Sequence, residues 1–394
     1  MKILFALSQL HCGGIEKSAL SLLSVLVSQG HSVRLMLTRK EGEFLDDIPA
    51  GVEVEEVPFS SDVRYEMTYG RKALLCHFIR RLSLAKAIHL LWEGWRMRKL
   101  SADARALMIA ERFCATLPPD ETVYDWAIDF SEFTEIYYVA NCVKAKRKAI
   151  WLHTELSEAF SSIQVYTKYL RMFDVLYAVS QALVASVKHA IPELASCVKY
   201  YQHIVDGTLV RALAQREAVE WDCPPGATRI LSVGRLARQK GFDLIPSMVA
   251  RLIDKGHQIS WIILGEGSER VALQRDIERM GLAGAIKLLG VKKNPYPYYA
   301  ACDIYVQPSR YEGYCLTLAD ARMLYKPIVT TDFNGAREQL KDGVTGYIVP
   351  FDETAIESRI ETLIQTPTIG QTFSQALKQE EHLSTKEHAF VLGE

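Results

Sequence analysis

Residues 228–241, TRILSVGRLARQKG, combine a short apolar run with a glycine-bounded loop that is rich in cations. A short apolar run that leads into a longer stretch of helical period predicts a buried parallel strand and its crossover helix. The pattern recurs after this point, with apolar runs at 259–264, 286–289, 304–306, 328–331 and 347–349. This part of the chain is therefore predicted to be a doubly wound α/β domain.

The first half of the chain repeats the pattern, with apolar runs at 3–7, 33–37, 126–130, 149–152, 175–179 and 198–204. We predict two Rossmann-like domains that face each other across a cleft, because ligands bind outside the carboxyl ends of strands in open α/β sheets. The expected organisation is an N-terminal Rossmann-like domain at 1–210, a linker at 211–227, a C-terminal Rossmann-like domain at 228–370 and a tail at 371–394 that returns to the N-terminal domain.

Length and composition exclude several classes of protein. The chain has 394 residues, whereas single hydrophobic cores stop growing at roughly 250–300 residues. With 49% hydrophobic residues, 24% charged residues and a formal net charge of −1, it is neither disordered nor a nucleic-acid binder that acts through bulk charge. The eight cysteines form no Cys-x-x-Cys pair, which predicts reduced cytosolic thiols and no zinc site.

The N-terminal run MKILFAL superficially resembles a signal sequence, but it is short and no small-residue cleavage site follows it. It predicts a buried first strand. No segment reaches the roughly 20 uninterrupted apolar residues that a membrane span needs. We therefore expect a cytoplasmic protein that is soluble or peripheral at the inner face of the membrane.

Residues 71–100 stand apart because they hold eight cations against one acidic residue, Glu93, which gives 8 − 1 = +7. Leucines, Trp92 and Trp95 are interleaved with these cations. A basic helix of this composition can lie in the interface of an anionic membrane. Equally, it can pack on the first domain with a solvated basic face. The sequence leaves both interpretations open.

Gly13 and Gly14 follow the first strand and open a helix of apolar period. Glycine lets backbone NH groups approach a phosphate at a helix N-terminus, where the helix dipole favours negative charge. The pair falls short of a dinucleotide fingerprint, and a plain strand-to-helix turn explains it slightly better on its own.

Arg235 and Lys240 follow the first strand of the second domain, between Gly234 and Gly241. Cations at this position suit a leaving diphosphate, because arginine binds it as a fork and lysine as a point charge. A solvated loop also carries such residues, but rarely at the carboxyl end of a strand.

The stretch 308–321, PSRYEGYCLTLADA, is the strongest functional signal. It predicts a loop and then a helix that begins near Tyr314, so that Glu312 lies in the loop and Asp320 about two turns into the helix. One carboxylate can then bind sugar hydroxyls and the other ribose hydroxyls, while helix NH groups face the phosphates. The alternative of capping or surface acids does not explain the Glu312–Gly313 pair.

These motifs together resemble glycosyltransferase family 4, a group of retaining enzymes with the GT-B fold. The resemblance covers most of the chain and is densest at 230–350, where VGR with KG, LGEG, LG, KPIV and DG occur in the expected order. The stretches 293–298 and 335–339 resemble the branch that builds bacterial capsule and lipopolysaccharide. The resemblance implies transfer of a hexose or N-acetylhexosamine from a UDP- or GDP-sugar to a glycan or lipid-linked acceptor, with no cofactor, metal or nucleic acid.

The resemblance also assigns roles to residues. Glu312 would hold the transferred sugar, Asp320 the ribose, Arg235 and Lys240 the diphosphate, and His153 would lie at the catalytic face. The remaining donor-binding residues would be Gly13, Gly14, Gly234, Gly267, Val291, Gly313, Tyr314, Cys315 and Leu316. Two positions depart from the family pattern, because Asp320 replaces a glutamate and His203 an asparagine.

No protein nucleophile is evident, so the resemblance implies a same-face reaction in which a donor phosphate oxygen accepts the acceptor's proton. Asp125 and Asp129 are interpreted as fold residues. Two other hypotheses stay open. In the first, the chain is a nucleotide-sugar epimerase, which would need an acid–base pair. In the second, it is a non-catalytic accessory subunit, and Asp320 and His203 are signs of lost activity.

Overall fold

The computed structural model describes residues 1–118, 121–131, 135–153, 163–201, 203–205, 207–219 and 221–380, and Leu392. Most of the predicted tail beyond 380 therefore lies outside the described residues. Two parallel sheets, each with helices packed against it, form the described chain.

The first sheet has the strand order β3-β2-β1-β4-β5-β6-β7, and every pairing within it is parallel. Its strands are β1 (Lys2–Leu7), β2 (Ser32–Leu37), β3 (Val52–Glu56), β4 (Val123–Asp129), β5 (Lys144–Leu152), β6 (Val175–Ala178) and β7 (Val198–Tyr200). The helices of this half are α1 (Gly14–Ser28), α2 (Ser61–Tyr69), α3 (Arg71–Arg80), α4 (Leu84–Met97), α5 (Ala102–Cys114), α6 (Ile163–Leu170), α7 (Gln181–Ala190) and α8 (Gly207–Ala214). The order reverses between β1 and β4.

The second sheet has the order β10-β9-β8-β11-β12-β13 and is also parallel. Its strands are β8 (Thr228–Val233), β9 (Ile259–Leu264), β10 (Ile286–Leu288), β11 (Ile304–Gln307), β12 (Ile328–Thr331) and β13 (Tyr347–Val349). Its helices are α9 (Ile245–Asp254), α10 (Arg270–Arg279), α11 (Tyr296–Ala301), α12 (Leu316–Met323), α13 (Ala336–Gln339), α14 (Glu353–Gln365) and α15 (Pro367–Gln379). Here the order reverses between β8 and β11.

The apolar runs become strands because helices cover both faces of each sheet. All six residues of β9 are buried, so the strand is continuously apolar except for Ser260, which accepts a hydrogen bond from Trp221. Side-chain caps fix where several helices begin: Ser180 accepts from Leu183 N at the start of α7, and Asp352 from Ala355 N at the start of α14.

Helices α2 to α5 form an excursion between β3 and β4, and residues 61–114 are called the helical excursion below. The basic segment 71–100 lies within it as two helices, α3 and α4, rather than one. Leu82, with φ +55°, lies in the turn between them. A small core of Leu74, Phe78, Ala87 and Leu90 joins the two helices. Across the described part of the chain, no helix is long and apolar enough to cross a membrane.

The segment that joins the sheets packs mainly on the second domain. Helix α8 covers the first residues of the predicted linker, and its Val210 and Ala214 belong to a core cluster of the second domain. Leu392, beyond the last helix, is buried in the core of the first domain. The predicted domain boundaries themselves stay predictions.

Candidate active site

The two points where the strand orders reverse lie on either side of the candidate site. Gly13 and Gly14 follow β1, and His153 follows β5 in the first sheet. In the second sheet, Arg235 and Lys240 follow β8, and Glu312 follows β11. Ligands of open α/β sheets bind outside the carboxyl ends of strands at such points. The topology thus brings the predicted loops of both domains to one cleft.

Lys240 and Glu312 form an ion pair within the second domain, between Nζ and Oε1. Their side chains are only 15% and 8% exposed. Burial by itself lowers the pKa of Lys240, but the Glu312 carboxylate outweighs this effect, so the pKa is raised. Lys240 therefore stays charged, and the pair joins the loops that follow β8 and β11.

A chain of buried hydrogen bonds holds the Glu312 carboxylate in place. Ser309 Oγ donates to Glu312 Oε1 at 2.8 Å, and Gln307 Nε2 donates to Ser309 Oγ at 2.8 Å. Tyr305 OH and Thr317 Oγ1 donate to Gln307 Oε1 at 2.5 and 3.1 Å. Because each member is held by the next, the carboxylate is preorganised by the end of β11. Sequence inspection missed Ser309 and Gln307 as supporting residues, although polar side chains at a buried strand end are their signal.

Arg235 is exposed, and among the described residues it has no ion-pair partner within 4 Å. It is close enough to Glu16 to lower the pKa of that carboxyl, although burial raises it overall. Gly234 packs on the Lys240 side chain, and a Cβ there would lie 3.3 Å from Lys240 Cδ. Gly267 lies against the backbone of Leu236, the residue after Arg235.

Val291 lies apart from the ion pair, in the loop after β10, and is 43% exposed. Strand β10 is at the edge of the second sheet, two strands away from β8. No contact among the described residues ties Val291 to the Glu312 loop.

Gly14 and Gly313 mark the closest approach of the domains. A Cβ at Gly14 would lie 3.6 Å from Leu316 Cδ1, so the glycine loop lies against the beginning of α12. A Cβ at Gly313 would overlap the carbonyl oxygen of His153. A Cβ at Gly13 would collide with the side chain of Glu16 in its own helix. Gly313 therefore cannot carry a side chain without moving the opposite domain, whereas the contact at Gly14 is an ordinary van der Waals distance and the one at Gly13 involves the far end of a flexible side chain.

Helix α12 begins at Leu316, not at Tyr314 as predicted. Cys315 takes φ +72°, a left-handed conformation that cannot continue a right-handed helix, and it occupies the N-cap. Asp320 is consequently little more than one turn into the helix rather than two. A non-glycine residue in this conformation is strained, and such strain clusters at ligand-binding sites. Gln339 holds the segment by donating to the carbonyl of Tyr314.

Asp320 is buried and has a partner that the sequence did not reveal. Lys17 Nζ of α1 lies 2.5 Å from Asp320 Oδ1, so the ion pair joins the two domains. The ammonium also lies 4.8 Å from the ring centroid of Tyr296. Burial raises the pKa of Asp320, and Lys17 offsets part of that rise. The Asp320 carboxylate raises the pKa of Lys17 although burial opposes it, so the proton stays on the lysine.

His153 and His203 lie on the first-domain side of the cleft with ring centroids 6.1 Å apart. His153 Nε2 donates to the carbonyl of Phe130 at 3.0 Å, and burial lowers the pKa of His153 to about 4. His203 Nδ1 is 2.8 Å from Ser18 Oγ, and its ring packs on Tyr314 at 4.8 Å. Burial also lowers the pKa of His203. Both imidazoles are therefore neutral at physiological pH.

The acidic pair lies at opposite ends of β4: Asp125 is near its beginning, and Asp129 ends it next to Phe130. Asp125 accepts from Lys2 N and from Lys146 Nζ, both at 2.7 Å, at the beginning of the sheet. Asp129 is fully buried and accepts from Ser131 N at 3.0 Å. Within the described ranges, no group of three or more His, Cys, Asp or Glu side chains could hold a metal ion.

Residues 215–380, which contain the Lys240–Glu312 pair and α12, match the family model described as glycosyl transferases group 1. The matched residues 215–380 are called the group 1 domain below. The predicted glycosyltransferase resemblance is confirmed at this level, whereas membership of family 4 stays a prediction. The group 1 domain holds every predicted site residue except Gly13, Gly14 and His153.

Curated relatives are similar to part of the chain. A 4-alpha-N-acetylgalactosaminyltransferase of Campylobacter jejuni, named for an N-acetylgalactosamine-N,N'-diacetylbacillosaminyl-diphospho-undecaprenol acceptor, is 31% identical over 151 residues, which are 38% of this chain and 40% of that protein. The amylovoran biosynthesis glycosyltransferase AmsD of Erwinia amylovora is 28% identical over 153 residues, which are 38% and 42% of the two chains. The chain thus aligns with about two fifths of the length of these relatives.

Solved structures match both the group 1 domain and the first domain. Anabaena Alr3699/HepE in complex with UDP superimposes with a TM-score of 0.66 and 19% identity, covering 98% of this chain and 95% of that one. The likeness extends over both sheets and confirms the predicted GT-B fold, with two doubly wound domains that face each other across a cleft.

Proposed function

We propose that this protein is a retaining glycosyltransferase that moves a hexose or N-acetylhexosamine from a nucleoside-diphosphate sugar to a glycan or lipid-linked acceptor of a surface polysaccharide. The observation that carries the proposal is the buried Lys240–Glu312 pair between the two loops at the switch point; Glu312 lies four residues before Leu316, which contacts the glycine loop of the opposite domain. A carboxylate and an ammonium held together in this way can bind sugar hydroxyls and phosphate side by side.

The chemistry follows from the charges around the cleft. The bond between the anomeric carbon and the diphosphate oxygen breaks, and its electron pair stays on the diphosphate. Arg235, Lys240 and the backbone NH groups near Gly14 and at the beginning of α12 stabilise that developing charge without reorganising. The acceptor hydroxyl attacks from the same face and passes its proton to a phosphate oxygen, while Glu312 orients the sugar.

The donor proposed is a UDP-sugar, with Asp320 at the ribose and Val291 near the base. The support is the UDP and glucose in the HepE complex, a fold neighbour. The lipid-linked acceptor rests on the name of the Campylobacter relative. His153 is proposed to lie beside the sugar as a neutral hydrogen-bonding group, because the backbones of His153 and Gly313 touch.

The test is a screen of UDP-, GDP- and ADP-sugars by thermal shift, followed by transfer assays with glycan and undecaprenyl-diphosphate-linked acceptors. Glu312→Gln and Lys240→Ala are expected to lower kcat roughly 100- to 1000-fold, the effect of losing one preorganised charge-stabilising group. Their matched controls are Glu278→Gln on α10 and Lys188→Ala on α7, both exposed. Near-normal turnover in either site variant, with unchanged circular dichroism, would remove the site assignment.

The same screen separates the alternative hypotheses. An epimerase converts the sugar nucleotide when no acceptor is present, which nuclear magnetic resonance of the donor detects. An accessory subunit binds the donor and transfers to no acceptor.

We further propose that the helical excursion docks on an anionic membrane surface. Helix α4 has apolar residues on two faces: Ala87, Leu90 and Met97 are buried, whereas Leu84, Ile88, Leu91, Trp92 and Trp95 are exposed. The exposed set repeats at i, i+4, i+7, i+8 and i+11 and forms one stripe along the helix. Trp92 and Trp95 are 49% and 66% exposed, as suits side chains that enter a lipid interface.

The charges beside the stripe favour anionic lipid. Exposed cations of α3 and of the turns around α4 have no ion-pair partner within 4 Å among the described residues: Lys72, Arg80, Arg81, Arg98 and Lys99. Arg96 packs on the ring of Trp92 at 4.7 Å. Each such cation near an anionic surface contributes about 1 kcal/mol. The excursion leaves the sheet from the carboxyl end of β3, the same edge that carries the cleft, so docking would bring the site towards a lipid-linked acceptor.

Flotation with vesicles of phosphatidylglycerol and of phosphatidylcholine tests this docking. We expect binding to the anionic vesicles only, weakened by salt and lost in the Trp92→Ala/Trp95→Ala double variant. Val271→Ala on α10, which removes an exposed apolar side chain elsewhere, is the control. Equal flotation with both lipids, or an unaffected double variant, would contradict the proposal.

A further inference from the structure

Two consecutive residues of α1 contact groups around the cleft: Lys17 reaches the donor side, and Ser18 bonds His203 on the first-domain side. Lys17 Nζ pairs with Asp320 Oδ1 at 2.5 Å, and Ser18 Oγ hydrogen-bonds His203 Nδ1 at 2.8 Å. The ring of His203 in turn packs on Tyr314, the residue that follows Gly313 in the donor loop. Asp320 and His203 are also the two positions at which the chain departs from the family pattern. The residues at both of these positions thus contact the same turn of α1.

The Lys17 side chain occupies a site built by the second domain. Its ammonium contacts the carboxylate of Asp320 on α12 and lies over the ring of Tyr296 on α11. The carboxylate is only 6% exposed, so a counter-charge is required to keep it ionised in place. Lys17 supplies this counter-charge although it belongs to the first domain and is 303 residues away from Asp320 in the chain.

The position of Lys17 links this ion pair to the glycine loop. Helix α1 begins at Gly14, so Lys17 lies in its first turn and Lys17 N bonds back to the carbonyl of Gly13 at 3.1 Å. The backbone NH groups proposed to bind the diphosphate are therefore fixed, through a single helical turn, to the residue proposed to bind the ribose. Lys17 takes Oδ1 of Asp320, and the described residues offer no hydrogen bond to Oδ2, which leaves that oxygen for a ribose hydroxyl.

We propose that Lys17 is a positioning residue of the donor site: by pairing with Asp320 across the cleft, it holds the ribose-binding carboxylate ionised and sets the distance of the Gly13–Gly14 loop from the diphosphate. The inference rests on the proposed function, because the donor site is that of the proposed transferase. It also explains how a shorter aspartate serves at position 320, since a lysine of the opposite domain reaches over to it.

The variants are chosen so that loss of position and loss of fold are separated. Lys17→Met removes the charge at nearly constant length, and Lys17→Arg keeps it. The double variant Lys17→Met/Asp320→Asn removes both charges and leaves no uncompensated carboxylate, so it is expected to fold even where Lys17→Met is destabilised. Lys188→Met, an exposed lysine on α7 of the same domain, is the control.

The first measurement is hydrogen exchange of residues 13–28 without any ligand. We expect faster exchange in the first turn of α1 in Lys17→Met and in the double variant, and wild-type exchange in Lys17→Arg and Lys188→Met. The second is steady-state kinetics with the donor found in the screen. Lys17→Met is expected to raise the donor KM at least tenfold and to lower kcat/KM roughly 100-fold, the scale of a loop misplaced by about 1 Å, with recovery in Lys17→Arg.

The outcomes distinguish the role of Lys17 from the proposed function of the protein. Unchanged exchange in α1 together with an unchanged donor KM in Lys17→Met would overturn the role of Lys17. Tighter UDP binding in Lys17→Met would overturn it as well, because Lys17 would then compete with the ribose. A wild-type protein that binds no sugar nucleotide would overturn the proposed function, and the exchange comparison would still decide whether the Lys17–Asp320 pair fixes α1.

Discussion

Two lysines neutralise the two carboxylates of the donor loop and helix, and they come from opposite domains. Lys240 pairs with Glu312 within the second domain, whereas Lys17 crosses the cleft to Asp320. Each carboxylate therefore has a cationic partner in a buried place, where an unpaired charge would be costly. Pairs of this kind keep a ligand site charged before the ligand arrives, so binding need not reorganise the protein.

Gly313 gives the sharpest prediction for a single residue. A methyl group at this position would overlap the carbonyl oxygen of His153 and lie 3.4 Å from Val179 Cγ2. We expect Gly313→Ala to push the first domain away from the Glu312 loop and to lower kcat/KM roughly 100-fold. Transfer assays and small-angle X-ray scattering check this, since the variant should also increase the radius of gyration of the ligand-free protein.

Gly284→Ala is the matched control for this prediction. A Cβ at Gly284 meets nothing within 4 Å, and its backbone does not need the left-handed region. If Gly313→Ala behaved like Gly284→Ala in both measurements, the close approach of the two loops would be wrong.

Sequence patterns located the loops of the site but not their partners. Strand ends are visible as breaks in apolar runs, so the sequence alone places Lys240 and Glu312 in the loops that follow β8 and β11. Lys17 was missed because a pairing over 303 residues leaves no local signal. The sequence misplaces the beginning of α12 because Cys315 has a left-handed backbone conformation, which a cysteine rarely adopts.

At the scale of elements, a buried ionic network holds the helical excursion together. Glu66 of α2 and Glu93 of α4 are both buried. Arg71 of α3 bonds Glu93 at 3.0 Å and lies 3.5 Å from Glu66, and Arg112 of α5 pairs with Glu66 and lies 3.5 Å from Glu93. Four helices are thus joined by two carboxylates and two guanidinium groups. The positive charge counted from the sequence over 71–100 is therefore only partly a surface charge.

Removing one member of this network should loosen the excursion specifically. We expect Arg112→Met to destabilise α2 to α5 by about 3–5 kcal/mol, because it leaves Glu66 buried with a single distant partner. Hydrogen exchange should accelerate in residues 61–114 and stay unchanged in α9 and α14. The control is Arg105→Met, an exposed position on the same helix. Uniform acceleration across the whole protein would contradict a local role for the network.

The outward stripe of α4 illustrates why the sequence left two interpretations for this region. Apolar residues occur on both faces of the helix, so periodicity alone does not say which face packs on α3. The structure shows that Leu90 and Met97 are buried while Trp92 and Trp95 face outward. That outcome depends on the excursion's own small core, which only the three-dimensional arrangement defines.

At the scale of the whole molecule, polar and ionic contacts between the domains accompany the apolar ones. Tyr314 and Ala319 of the second domain belong to the first-domain core, but polar ties accompany them. Glu338 accepts from Gln181 N at 2.8 Å and so caps α7 from across the cleft. Lys293 lies 3.0 Å from Asp47. Such contacts can break and re-form in water, which suits a cleft that opens to exchange its ligands.

The pH dependence of stability should be governed by individual buried groups, because the net charge is only −1. Glu135 is the clearest case, because burial raises its pKa from the usual value near 4.5 to about 7. An acid whose pKa is raised on folding gives its full stability below its unfolded pKa and loses it as the pH rises through the folded value. His153, whose pKa is lowered to about 4, acts in the opposite sense and loses stability as the pH falls below 6.5.

Glu135→Gln separates these opposing effects, because glutamine mimics the protonated carboxyl and does not titrate. Below about pH 4.5 the variant and the wild type should have similar melting temperatures. Between pH 4.5 and 7 the wild type loses the Glu135 contribution, so the melting temperature of Glu135→Gln relative to wild type should rise through that interval and level off above it. Differential scanning calorimetry from pH 4 to 8 measures this difference. Glu111→Gln, an exposed position on α5, should give a flat difference, and a flat difference for Glu135→Gln would mean that water or a neighbouring group solvates the carboxylate after all.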